Sequence, residues 1–318
     1  MLRHTFLCFP GITPTRERRL WAAGVKEWSG LESAAAAGVL KADHAALSAM
    51  VPEYERRLEI GDAEFFERRL KGAQKLRLIH DFHGNMAAVD IETSGTNIDA
   101  GVTTIIGLCT PDGFHSYVAG SDLEQAPALL AKHAMLVTFN GARFDLPILR
   151  EEFGGAWGYS GLKKEDTDWG GGQPMLFDTL PAPPAAQAHV DLMVGMREIG
   201  YRGGLKKIEK AIGLARPEGI EGFDGYAAVM TWRRWLAVQP QADAEVAHLL
   251  KRLIAYNLYD CVSLLIMARF AFNELVTKNG YPFRRFDDVN PYFVDVDAKI
   301  EAKAEQALRK LLRGNAKR

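Results

Sequence analysis

The character of this 318-residue chain changes at Met86. Before it, residues 14–72 place apolar side chains at helical spacing, as in RERRLWAAGVKEW and YERRLEIGDAEFFERRL, and read as short helices. After it come MAAVDIET, GVTTIIGLCT and FHSYVA, β-rich runs set apart by turn residues, which predict three sequential antiparallel strands. The pattern next predicts a helix over LEQAPALLAKH, capped by Ser121 or Asp122. An apolar strand in AMLVTFN follows, stopping at Asn140-Gly141, and then a short helix from about Asp145 to Phe153. A chain in this order is expected to form a mixed α/β sheet, three antiparallel strands leading and parallel additions following, flanked by helices.

From Gly154 to Ala188 the sequence carries GG, GGG and PAPPAAQA, which reads as a loop or insertion with a short strand around MLFDTL. After HVDLM, helices are expected near 204–213, 224–238 and 243–277. The implied organisation is a small helical unit over 1–80, a main domain over 81–277, and a C-terminal extension with a terminal helix over 278–318. Neither GxxxxGK[ST] nor GxGxxG occurs, so no nucleotide cofactor is expected.

Composition narrows the class. With 47% hydrophobic, 25% charged and 10% aromatic residues the chain is an ordinary globular protein, not a disordered chain, a collagen or a coiled-coil rod. No apolar run approaches the roughly 18 residues that cross a bilayer, and the opening MLRHTFLCFPGIT is too short for a signal peptide, so no membrane partner and a cytoplasmic location are expected. Cys8, Cys109 and Cys261 are odd in number and far apart, which argues against a disulfide framework or a thiolate zinc site and for buried small hydrophobes. The net charge of −1 divides unevenly: residues 1–80 carry +3, residues 276–318 carry +4 and the middle carries −8. Such a division suits a carboxylate metal site with nucleic-acid-binding edges, and equally a solvated surface.

Three elements carry candidate chemistry. Asp90 and Glu92 lie two apart on a predicted strand, so both point to one face, where a hard Mg2+ or Mn2+ ion would relieve their repulsion. Asp-x-Glu occurs four times in the chain, but only here does it end an apolar run. In LVTFNGARFDLPIL, Asp145 opens a helix between Phe144 and Leu146, either as a cap favoured by the helix dipole or as a carboxylate aimed from a buried junction. In LLKRLIAYNLYDCVSLLIMARF, Tyr256 and Asp260 stack four apart on a core-facing stripe, with Asn257 beside them, so Asp260 is either a metal ligand or a buried structural pair.

In order and separation, AVDIET, TFNGARFDLPIL and AYNLYDCVSL resemble the three motifs of the DEDD (DnaQ-like) 3′–5′ exonuclease superfamily, and Tyr-x-x-x-Asp resembles its tyrosine-bearing branch. HVDLMVGMREIGYRGGLKKIEKAIGLARPEGIEG is similar to the YprB-type ribonuclease H-like domain family, with its His-x-Asp-Leu strand, Leu-Lys-x-Ile-Glu helix and Gly-x-x-Arg turn. The resemblance covers roughly residues 84–272 and implies a ribonuclease H-like sheet. It also implies two Mg2+ or Mn2+ ions held by Asp90, Glu92, Asp145 and Asp260, with Asp90 bridging them and Tyr256 orienting the attacking water. Asn140, Phe144 and Asn257 are the candidate substrate contacts beside these motifs. The segment between the second motif and HVDL is longer than the family's usual connection, and its FDTL makes Asp178 a rival to Asp191 for supporting the acids from behind. His189 and Asp191, two apart, read as a strand-end structural pair before a metal site.

The basic ends carry less. FLCFPGITPTRERRLWAAGV resembles a helix-hairpin-helix module with Arg16, Arg18 and Arg19 near a Pro-Gly turn, but Thr13 stands where its second glycine would be, which favours plain helical packing. Lys206 and Lys207 follow Gly203-Gly204 at a helix start, where phosphate contact competes with a solvated face. The sequence thus supports a metal-dependent 3′–5′ exonuclease acting on single-stranded DNA or RNA, polarity and substrate coming from the resemblance. The rivals are a catalytically inactive nucleic-acid-binding protein on the same fold and a ribonuclease H-like endonuclease, which would give Tyr256 no role.

Overall fold

The computed structural model describes residues 1–95, 101–154, 187–220, 223–238, 244–289 and 295–315. Asp178 and the strand expected around MLFDTL lie outside these residues.

The three β-rich runs form β1 (Met86–Thr93), β2 (Thr103–Thr110) and β3 (Gly113–Val118), paired antiparallel in succession. Both β4 (Met135–Thr138) and β5 (Ala188–Asp191) add on parallel, giving the order β3-β2-β1-β4-β5. This is the mixed sheet, three antiparallel strands leading and parallel additions following, anticipated from the element order. Side chains alternate across it as strand geometry requires. Along β1, Met86 and Ala88 join one apolar cluster, while Ala87, Val89 and Ile91 join another on the opposite face.

The second cluster is closed by α7 (Ala126–Leu130) and α8 (Asp145–Phe153), through Leu130, Leu146 and Leu149. The helix expected over LEQAPALLAKH is therefore shorter: a 3-10 turn at Leu123–Gln125 precedes α7, whose first turn holds Pro127. Proline lacks the N–H that a helix interior needs, so it sits at the helix start. Asp122 does not cap this helix, because its carboxylate accepts the Val118 N–H at 3.0 Å and binds Lys310 at 3.1 Å.

The first cluster is much larger. On the sheet it is covered by α12 (Ala244–Asn279), a 36-residue helix lying against β1 and β2. By length and composition α12 could cross a membrane, but 94% of its apolar window is buried inside the protein, as in a core helix. Between β5 and α12 come α9 (Leu192–Glu198), α10 (Leu205–Ala211) and α11 (Gly225–Val238). The terminal helix α13 (Val296–Asn315) packs on α12 and β3.

Ahead of the sheet, residues 1–82 form α1 (Pro14–Ala22), α2 (Ala34–Leu40), α3 (His44–Ser48), α4 (Val51–Glu59), α5 (Ala63–Glu67) and α6 (Leu78–Phe82). Their buried Leu20, Trp28, Tyr54 and Phe66 belong to the same apolar cluster as Met86 on β1 and Phe272 on α12. Arg77, fully buried, binds Glu17 through two bonds of 2.8 and 2.9 Å and stacks 4.5 Å from the Tyr281 ring. The pair thus joins α1, the turn before α6 and the chain after α12. Removing one partner would leave an uncompensated buried charge.

Candidate active site

The site is built where β1 outruns its parallel neighbour. Pairing of β1 with β4 ends at Ala88–Val137, two residues before Asp90. Asp90 and Glu92 then point to the α12 face, and a register shift at Glu92/Thr93 marks a bulge that bends the strand there. Opposite Asp90 on β2 sits Gly107, where a Cβ would fall on the Asn257 amide and crowd Cys261. The missing side chain lets α12 approach closely enough for Asn257 to donate to Asp90 Oδ2 at 2.8 Å and to the Asp90 carbonyl at 3.1 Å. Asn257 is completely buried, so it is not open to a substrate as its place in the sequence had implied; it orients Asp90.

From the same helix Asp260, 4% exposed, meets Asp90 and Glu92, with ligand oxygens of the three all within 4.8 Å of one another. Among the described residues no other group of three or more His, Cys, Asp or Glu side chains comes so close. Tyr256, one turn earlier, lines the same cavity of about 310 Å³ with Phe144, Tyr226 and Val229. A larger cavity of about 620 Å³ lies between α12 and α13, beside Ala255, Tyr259 and Asp297, and holds no such convergence.

Asp145 stands slightly apart from the three. Beyond the end of β4 the Ile91 N–H has no strand partner on that side, and Asp145 Oδ1 accepts it at 3.2 Å. Its carboxylate therefore ties α8 to β1 and makes no cap on its own helix. The loop that delivers it is fixed from β5: Asp191 accepts the N–H groups of Asn140 at 2.9 Å and Ala142 at 3.3 Å in that loop, and caps α9 by accepting the Met193 N–H at 3.0 Å. Asn140 adopts φ +64°, and a Cβ on Gly141 would strike the Thr138 side chain. His189 is held by Thr138 at 2.8 Å, and burial lowers its pKa to about 4, keeping it neutral. His189 is thus tied to the neighbouring strand at Thr138, and Asp191 supports the loop leading to Asp145.

A second wall comes from α10 and the turn after it. Lys206 and Lys207 are both exposed, but Lys206 places its amine 4.5 Å from the Tyr256 ring and bonds the Phe223 carbonyl, whereas Lys207 makes no contact with the site among the described residues. Arg216 forms an ion pair with Asp260 and two bonds to Glu209. Neither Glu209 nor Arg216 stood out as a site residue in the sequence, although both lie in the Leu-Lys-x-Ile-Glu helix and Gly-x-x-Arg turn. Tyr226, 68% exposed at the cavity rim, had no motif to signal it.

The acids strain one another. Burial, and then repulsion from Asp260, Asp145 and Glu92, pushes Asp90 well above the ordinary carboxylate range. Burial with Asp260 and Asp145 does the same to Glu92. Burial also raises Asp260 against the pull of Arg216, and raises Asp145 to about 7 against two backbone N–H groups that favour its charge. With Glu92, Asp145 and Asp260 buried and Asp90 half-buried, this oxygen-only, mutually repelling donor set fits a hard divalent cation. The Tyr256 phenol is pushed upward by burial and by Asp260, Glu92 and Asp90, so it remains a neutral donor.

No curated protein matches the chain. Among solved structures, that of Brucella melitensis NrnC is similar at 12% identity and a TM-score of 0.35, over 73% of this chain and 86% of that one. The model of the RNase_H superfamily matches residues 87–271, more than half of the sequence and a span that holds all four acids and Tyr256. By that match the chain belongs to the RNase_H superfamily.

Proposed function

We propose that the protein is a metal-dependent 3′–5′ exonuclease of the tyrosine-bearing DEDD branch, YprB type, hydrolysing phosphodiester bonds of single-stranded nucleic acid. The observation that carries this reading is the convergence of Asp90, Glu92 and Asp260 within 4.8 Å beside the Tyr256 phenol. Asp90, Glu92, Asp145 and Asp260 would hold two Mg2+ or Mn2+ ions. Such ions, when bound, stabilise charge on the attacking and leaving oxygens of an in-line displacement.

The chain's own residues do the rest. Tyr256, neutral at physiological pH, can donate to or accept from a water without adding charge to the acid cluster. Asn257 holds Asp90 in one rotamer. Phe144 and the exposed Tyr226 flank the cavity and offer ring faces on which an unpaired base can stack. Polarity and the preference for single strands rest on the motif resemblance.

Incubation of 5′-labelled DNA and RNA single strands with Mn2+, beside circular single strands, tests the reading. A ladder shortening from the 3′ end, abolished by EDTA and by Asp90→Asn, is expected. Cleavage of the circles would make it an endonuclease, and tight binding with no cleavage would make it a binding protein.

A further inference from the structure

We propose that Arg216, clamped by Glu209, is the positioning residue for Asp260, a role that rests on the nuclease reading above. The clamp is a fork: Arg216 Nε donates to Glu209 Oε2 at 2.9 Å and Nη2 to Oε1 at 2.6 Å. The same Nη2 also reaches Asp260 Oδ1. All three groups are withdrawn from water, with side-chain exposures of 9% for Arg216, 4% for Glu209 and 6% for Asp260. Nη1 is buried and has no hydrogen-bond partner among the described residues.

A buried ion pair is weak grounds for stability, since apolar side chains of similar volume commonly do as well. What the fork supplies is direction. Glu209 fixes the plane of the guanidinium from one edge, and the other side of Nη2 then occupies one oxygen of Asp260, so the carboxylate cannot turn freely on the core-facing side of α12. Asp260 is thereby held with its remaining oxygen available to the group formed with Asp90 and Glu92. Glu209 makes no hydrogen bond to those acids: it holds Arg216 in place, and its nearby charge pushes the Asp260 pKa up. Lysine cannot reproduce the arrangement, because a point charge lacks the planar fork that binds one carboxylate while reaching a second. Partners that orient metal-binding side chains typically matter by about 10–100-fold in affinity or activity.

The test uses the full chain with Arg216→Met, Arg216→Lys, Glu209→Gln and Asp260→Asn. On a single-stranded oligonucleotide with Mn2+, Arg216→Met should lower kcat by about 10–100-fold while KM stays within about twofold. Arg216→Lys should fall between it and the wild type. Glu209→Gln should fall in the same direction, and the Glu209→Gln/Arg216→Met double variant should be no worse than Arg216→Met alone. In EDTA, Arg216→Met should lower Tm more in the wild-type background, where both Glu209 and Asp260 lose their partner, than in the Asp260→Asn background, where only the Glu209 carboxylate is abandoned. An equal Tm loss in both backgrounds, or a wild-type kcat in Arg216→Met, would overturn the proposal. If the wild type degrades no strand at all, the nuclease reading falls, and the positioning role falls with it, while the melting cycle still decides whether the contact to Asp260 forms.

Discussion

Asn257 on α12 donates to both the carboxylate (2.8 Å) and the backbone carbonyl (3.1 Å) of Asp90 on β1, through a gap that exists because Gly107 on the neighbouring strand has no side chain. Gly107→Ala should therefore push α12 off the sheet at the site. Overpacking of this kind typically costs about 1–3 kcal/mol. Urea unfolding should show a loss in that range together with reduced nuclease activity. A variant as stable and active as the wild type would show that the close approach is not needed.

Charge in the acid cluster makes stability depend on pH in a defined direction. Asp90, Glu92, Asp145 and Asp260 all have folded-state pKa values above their unfolded ones, so the native protein holds extra protons across that window. The cluster's contribution to stability is then fully present at low pH and is lost as pH rises from about 4 through about 7, the value reached by Asp145. In EDTA, Tm should fall between about pH 5 and about pH 8, and Mn2+ should reduce that fall by replacing the protons. A Tm that rises with pH over this range would refute the assignment.

Tyr256→Phe and Asp260→Asn should differ in kind. Losing one hydroxyl contact removes a water-positioning group worth on the order of 10²-fold in rate, with Mn2+ binding retained. Asp260→Asn should lose Mn2+ binding and activity together, because a neutral amide is a poor ligand for a hard cation. Calorimetric Mn2+ titration of both variants, run beside a single-turnover assay, separates the two.

Tyr226 is 68% exposed where it borders the cavity. Stacking a base on an aromatic face is worth about 1–3 kcal/mol, so Tyr226→Ala should raise KM for single strands about fivefold or more without moving kcat. Tyr226→Phe should behave as the wild type. Equal KM values for all three proteins would exclude the contact.

Asp191 caps α9 through the Met193 N–H and holds the loop before Asp145 through two more backbone N–H groups, those of Asn140 and Ala142. Asp191→Ala should cost about 0.5–2 kcal/mol as a lost helix cap. Because the same carboxylate fixes the chain leading to Asp145, activity should fall by more than the loss of folded protein explains. Measuring kcat at a temperature where the variant is fully folded decides between the two effects.

Much of the sheet was legible because strand signals are local. The runs starting at Met86, Gly101 and Phe114 became β1 to β3 within a few residues, and the long apolar pattern became α12 from Ala244 to Asn279. Less legible was α7, where Pro127 leaves a 3-10 turn and one short helix in place of the longer helix. Similarly, Asn257 reads as a neighbour of Asp260 in sequence, yet its amide is spent on Asp90, 167 residues away.

By itself the sequence determined the parts of the site that follow from periodicity. Two residues apart on a strand, Asp90 and Glu92 share a face; four apart on a helix, Tyr256 and Asp260 share a stripe. Only the tertiary structure decided that Asp145 binds the β1 backbone, that Lys206 and not Lys207 faces Tyr256, and that Arg216 and Glu209 stand behind Asp260. Local spacing sets the direction of a side chain along its own element. Contacts between elements depend on how closely those elements approach, and that distance is set by distant residues such as Gly107, whose missing Cβ has no signature in the motifs it serves.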